Sequence, residues 1–200
     1  DSAGERTIIN YTESSLFAGG DTSMAAELGG VDAVLVDVRW PSGASAAVAA
    51  ASVAGLPSVF DFDRPMIDGG TDLIRSASHV AFSQAALAAT SGSDDPAVGL
   101  QTMSSKTDAW LAVTAGADGV WWLDGGDVRH LAAFDVPVVD TVGAGDVFHG
   151  ALALSLGEGR GEAEAVRFAA AAAALKCTKP GGRAGAPTRP EVEALLEGEH

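Results

Sequence analysis

The feature that most narrows the fold is a rhythm. Short β-branched or aromatic runs alternate with longer alanine-rich stretches over residues 33–114. Ala33–Val38, Pro57–Phe60, His79–Phe82 and Trp110–Thr114 read as strands. Between them Gly43–Ala54, Leu73–Ser76, Gln84–Ala89 and a stretch from Pro96 to about Met103 read as helices, the last capped by Asp94-Asp95-Pro96. A strand can return parallel to its neighbour only through a crossover, and helices of this kind supply one. The rhythm therefore predicts a mostly parallel central sheet covered on both faces, a three-layer α/β/α fold. Arg6–Tyr11 reads as a further strand.

After Thr114 the tempo changes. Gly116-Ala117-Asp118-Gly119 is a tight turn into a strand at Val120–Leu123, and Asp124-Gly125-Gly126-Asp127 is a hairpin turn leading to Val128-Arg129-His130. Val136–Val139 reads as another strand, running into a glycine turn at Gly143 and Gly145. Helices are expected at about Ala144–Leu156 and Gly161–Lys176, then a Gly/Pro-rich loop at Pro180–Pro190 and a helical turn or two at Glu191–Leu196.

Two hundred residues, 47% of them hydrophobic, can bury one core, so residues 1–200 are expected to form a single α/β domain. The net charge of −15 argues against nucleic acid or an anionic membrane as partner. An anionic small substrate stays open, because a site needs only a local positive field. The single Cys177 excludes an internal disulfide framework and a cysteine-clustered metal site. The chain opens Asp1-Ser2-Ala3-Gly4 without a basic-then-apolar leader, and no apolar run reaches the ~20 residues of a membrane span. A cytoplasmic location is the expectation.

Chemistry concentrates at Val138–Phe148. Gly143 and Gly145 permit a turn that aims the amides of Ala144, Gly145 and Asp146 from a helix N-terminus, an arrangement suited to a transferred phosphoryl group. Asp146 sits beside those amides, where a carboxylate could take a proton from a substrate hydroxyl. An ordinary first-turn Asp that favours the helix dipole, worth ~0.3–1 kcal/mol, accounts for the same residue. The turn lacks the Lys-Ser/Thr ending of a P-loop. Arg39 follows a strand at the sheet end where α/β folds place ligands, and its fork suits phosphate or sulfonate; pairing with a neighbouring Asp is the competing role. His149 reads as a polar neighbour packed at a helix start, and Trp121 and Trp122 as core residues rather than an adenine wall.

Asp140-Thr141-Val142-Gly143-Ala144-Gly145-Asp146-Val147-Phe148 resembles the C-terminal signature of the ribokinase-like (PfkB) carbohydrate kinases, and Val113–Gly119 resembles their VT-x-G-x-x-G turn upstream. The resemblance implies an ATP-dependent sugar kinase with Asp146 as catalytic base and Gly143, Ala144 and Gly145 as its anion hole. Thr114, Gly116, Gly119, Gly145 and Gly181 would meet the nucleotide. Gly4–Tyr11 and Ala174–Gly182 are similar to segments of the ketohexokinase and sulfofructose kinase branches, which implies a ketohexose-like sugar met by Arg39, with Arg6 a weaker candidate. The chain is expected to lack the family's N-terminal sugar-binding and lid portion.

Cofactors follow from the same resemblance: ATP and Mg2+, with K+ as a candidate. Asp61-Phe62-Asp63-Arg64 is similar to the D-x-N-x-R segment, so Asp61 and Asp63 are candidates for magnesium-bound water. Ser83-Gln84-Ala85-Ala86 stands where many relatives carry Asn-x-x-Glu and lacks both residues. Asp140 and the carbonyls of Val142 and Gly181 are the candidate monovalent-cation ligands. A small-molecule sugar, ATP and, as an open case, a second copy of the chain are the expected partners. The alternative is a non-catalytic nucleotide- or sugar-sensing protein on the same scaffold. A nicotinamide oxidoreductase fails because the glycine turn comes late and lacks G-x-G-x-x-G at a first βαβ unit.

Overall fold

A computed structural model describes residues 27–64 and 70–198, together with Glu13 and Ser23. The expected strand at Arg6–Tyr11, and Arg6 itself, lie outside the described residues. Among the described residues six strands form one sheet in sequence order: β1 (Val34–Asp37), β2 (Ser58–Phe62), β3 (His79–Ser83), β4 (Trp110–Thr114), β5 (Val120–Asp124) and β6 (Asp127–Leu131). The first four run parallel, and β5 and β6 are antiparallel to their neighbours. The β5–β6 hairpin turns on Gly125 and Gly126, both at positive φ, the geometry a two-residue loop demands.

The described residues also form seven helices, six packed about the sheet and the last on α6: α1 (Pro41–Ala54), α2 (Gly70–Ser76), α3 (Gln84–Ser91), α4 (Pro96–Ser104), α5 (Ala144–Gly157), α6 (Glu162–Cys177) and α7 (Arg189–Glu197). Strand alternation assigns the two faces. Phe60, Phe62, Val80, Phe82, Leu111 and Val113 point to a core closed by α1 to α4. Val59, Ala81 and Ala112 point the other way, against Phe148, Leu152, Ala165, Val166 and Ala169 of α5 and α6. Of these two helices it is α5 that lies against β1 and β2, and α6 packs beside α5. The three-layer architecture is as the rhythm predicts.

Local chemistry fixes the helix starts. Asp95 accepts from the amides of Ala97 and Val98 at 2.8 and 3.0 Å, with Pro96 at the first helical position of α4. Ser83 accepts from Ala86 N at 3.1 Å and so caps α3.

One expected element is corrected. Val136–Val139 is not a strand: Val138 and Val139 are 64% and 63% exposed and pair with no strand. The amides of Val139 and Asp140 instead donate to Cys177 O, at 2.7 and 3.1 Å. The C-terminal carbonyls of α6 need partners, and this segment supplies them. Its branched residues therefore satisfy a helix end rather than a sheet.

Candidate active site

The carboxyl ends of β1 to β4 bring the candidate residues to one edge of the sheet. Asp37 ends β1, Asp61 lies one residue before the end of β2, and Thr114 ends β4. Asp61 shares the parity of Val59 along β2, so it faces α5. There its Oδ2 lies 3.3 Å from Nδ1 of His149, one turn along from Asp146. That ring nitrogen is also 2.7 Å from Gly145 O. A cavity of about 460 Å³ opens beside the pair, lined by Asp37, Trp40, Asp61, Asp146 and His149 along with β1 and α1.

The polar atoms around this cavity are unevenly satisfied. Trp40 Nε1, Asp61 Oδ1 and His149 Nε2 are buried without a hydrogen-bond partner among the described residues, although His149 is only 4% exposed. Native interiors rarely leave such atoms alone, and three around one cavity mark a place built to meet polar ligand groups. Burial, first of all, pushes the Asp61 carboxyl up to about 6. Asp63 and Asp146 push the same way, against His149 and Arg39. Trp40 lies flat over the start of α1, and a Cβ on Gly43 would strike its ring at 2.3 Å.

Gly143 forms the N-cap of α5 at φ 81, a conformation open to glycine. Asp146 is exposed in the first turn. The expectation of three free amides is corrected: Ala144 N donates to Thr141 O at 3.1 Å. No backbone carbonyl among the described residues accepts from Gly145 or Asp146, so these two N–H groups form the anion-facing end. A Cβ on Gly145 would meet nothing within 4 Å.

The upstream turn is built differently. Gly116–Asp118 is a single 3-10 turn, and Ala115 N donates to Gly119 O at 2.9 Å. Gly119, at φ 90, lies under β6, where a Cβ would come within 2.1 Å of Leu131 O. Packing alone thus accounts for Gly119. Thr114 and Gly116 stay at the β4 edge, with Thr114 Oγ1 3.4 Å from Phe82 O.

Arg39 is bridged. Its guanidinium reaches Asp37 at 2.7 Å and Asp63 at 2.9 Å, and the hydrogen bond to Asp37 leads in holding it charged. Asp37 and Trp40 line the cavity; Arg39 does not. Asp63 Oδ1 lies 3.5 Å from Arg64 Nε, and Ser83 Oγ donates to Asp63 O at 2.9 Å. No group of three or more His, Cys, Asp or Glu side chains suited to a metal occurs among the described residues. A hydrated magnesium ion needs fewer, because it keeps several waters, and the orphaned Asp61 Oδ1 fits such a water.

The candidate monovalent-cation ligands gather round Asp140. Its Oδ1 accepts from Val142 N at 2.9 Å and its Oδ2 from Gly181 N at 2.7 Å. Gly181 O accepts from Gly185 N at 3.1 Å. Lys176, fully buried near the end of α6, places Nζ 2.6 Å from Asp140 O and 3.4 Å from Lys179 O, with Asp140 Oδ2 at 3.8 Å. These oxygens do not fit K+ as well: two unit cations ~4 Å apart repel by about 4 kcal/mol at an effective dielectric of 20.

Sequence reasoning passed over Lys176, although a lone lysine closing the apolar run Phe168–Leu175 was a visible signal. It named Asp61 and His149 separately; the parity of Asp61 with Val59 along β2 gave the face of Asp61 but not its partner.

A family model described as pfkB family carbohydrate kinase matches residues 1–189. The ribokinase of Lactococcus lactis is 37% identical over 102 residues, which is 51% of this chain and 34% of that enzyme. An Agrobacterium tumefaciens protein, solved as a candidate ribokinase, superposes with a TM-score of 0.88 at 37% identity, covering 98% of this chain and 66% of that one. The Arabidopsis thaliana ribokinase complexed with ribose and ATP gives 0.76 at 26%, covering 88% and 58%. The chain thus corresponds to part of each relative, from about a third to two thirds of its length. The edge of the sheet that gathers an acid, two amides unbonded among the described residues and an open cavity with buried polar atoms in its wall is found in a chain that belongs to the pfkB family of carbohydrate kinases.

Proposed function

We propose that this chain carries the nucleotide site and catalytic base of an ATP-dependent kinase acting on a sugar hydroxyl, with a ketohexose such as fructose or a related sugar as acceptor. The single observation behind it is the pairing of exposed Asp146 with the amides of Gly145 and Asp146, unbonded among the described residues, beside the cavity that Asp61 and His149 line. Asp146 accepts the proton of the attacking hydroxyl, and the amides take up charge as the phosphoryl group moves. Thr114 and Gly116, at the end of β4, hold nucleotide phosphates; Gly181 approaches from the loop after α6. Asp61 and Asp63 would hold the waters of a magnesium ion, which when bound would supply charge neutralisation at those phosphates.

The sugar side is neutral in this reading. Arg39 is shared by two carboxylates, so it steadies Asp37 and Asp63 rather than offering a free fork to a phosphate or sulfonate. Ribokinase relatives keep pentoses in the acceptor class beside ketohexoses. An ADP-release screen of the full-length protein against ribose, fructose, tagatose, 2-keto-3-deoxygluconate, sulfofructose and nucleosides tests the proposal. Turnover on a neutral sugar is expected; ADP release with none of them overturns it, and a preference for sulfofructose overturns the neutral assignment.

A further inference from the structure

We propose that the Lys176 ammonium is a built-in monovalent cation: it fills the oxygen seat around Asp140 that a potassium ion would need, and it makes the neighbouring active-site turn independent of potassium. The inference rests on the kinase reading for its activity measurement alone.

A buried lysine is expensive unless something uses its charge. Lys176 is fully buried, and its Nζ meets three oxygens: the carbonyls of Asp140 and Lys179, with the Asp140 carboxylate beyond. Carbonyl and carboxylate oxygens converging on one positive centre are the donor set of a hard monovalent ion. Lys176 also lies in the last turn of α6, where the helix dipole favours a cation. Gly185 closes over the stem; a Cβ there would come within 3.3 Å of Lys176 Cε.

The seat is wired to the catalytic turn. Asp140 uses its two carboxylate oxygens to hold Val142 N on one side and Gly181 N on the other, so its orientation sets how the two loops approach. They do approach closely: a Cβ on Gly143 would come within 3.2 Å of Gly182 Cα. A positive charge on the Asp140 carbonyl and near its carboxylate fixes this junction without an exchangeable ion. Lys176 is thus a positioning residue, acting through Asp140 on the turn that ends at Asp146.

The test uses the full-length protein in potassium chloride and in tetramethylammonium chloride at equal ionic strength. Wild-type melting temperature is expected to be the same in both salts, and sugar-dependent ADP release equally so. A wild-type melting temperature that rises specifically with potassium overturns the proposal, whatever the activity. Lys176→Ala vacates the seat: potassium, and not tetramethylammonium, should then raise the melting temperature and restore part of the turnover. Lys176→Met keeps the stem but not the charge. It should lower kcat by about 10-fold or more without potassium rescue, since the methyl end still fills the seat. A folded Lys176→Ala variant that ignores potassium also overturns the proposal. Should either variant fail to fold, the wild-type melting comparison decides alone. Absence of kinase activity with a potassium-insensitive melt would count against the kinase reading and leave the cation assignment standing.

Discussion

Two glycines at the sheet edge, Gly119 and Gly145, sit in turns that look alike in sequence and are glycine for opposite reasons. In the turn at Gly116–Gly119 the last glycine is squeezed: a side chain would run into Leu131 O. In the turn at Gly143–Asp146, Gly145 has open space where its side chain would be. The first is glycine because the protein is already there. The second fits a molecule that arrives later. A glycine in a motif therefore reports on the fold or on a ligand, and only the space around it says which.

The sharpest way to break this contrast is at the acid of the second turn. Asp146→Asn should lower kcat by about 10²–10⁴ while ATP affinity, measured by calorimetry, holds. Retention of more than a tenth of the wild-type kcat would reduce Asp146 to a helix-dipole partner.

Gly119→Ala should act entirely on the fold. With φ at 90 and a backbone oxygen 2.1 Å from the new Cβ, destabilisation of about 3 kcal/mol or more is expected in denaturant titration. A variant with an unchanged unfolding midpoint would show that β6 yields easily.

Gly145→Val sharpens the other half. It should leave the melting temperature nearly unchanged and lower kcat/KM for ATP by about 10-fold to 100-fold, because the branched side chain occupies phosphate space. Equal losses in both turns' stability would erase the distinction.

The smallest effect expected is a slope in pH. The Asp61 carboxyl is raised from 3.8 to about 6, chiefly by burial, so the folded protein binds a proton there that the unfolded chain has already released. Between those values stability should fall as pH rises, and above about 6 the penalty is complete. Asp61→Asn should remove this component from the pH dependence of the unfolding midpoint. An identical profile in the variant would place the ionisation elsewhere.

The layers and the parallel strands were legible because their signal is periodic: β1 and β3 are short and largely apolar, and each is followed by an alanine-rich helix. Asp146 and its turn were legible because motif residues are contiguous. Val136–Val139 misled because branched residues look the same whether they join a sheet or saturate a helix end. The Asp61–His149 pair joins a strand to a helix 88 positions along, and local pattern carries no trace of such a meeting. Arg39 shows a third limit. Its position was clear, while its two carboxylate partners decide whether any charge is left for a ligand.

Asp140 has a consequence for how the molecule comes together in time. One of its carboxylate oxygens bonds Gly181, 41 residues away, and most of the intervening chain is α5 and α6. Closing so long a span is unfavourable until both helices have formed and docked on the sheet. The parallel strands can pair earlier through their own shorter crossovers. A chain caught part-way would then possess its scaffold and no working turn, so catalytic competence should appear late in refolding, after most of the helical signal has already returned.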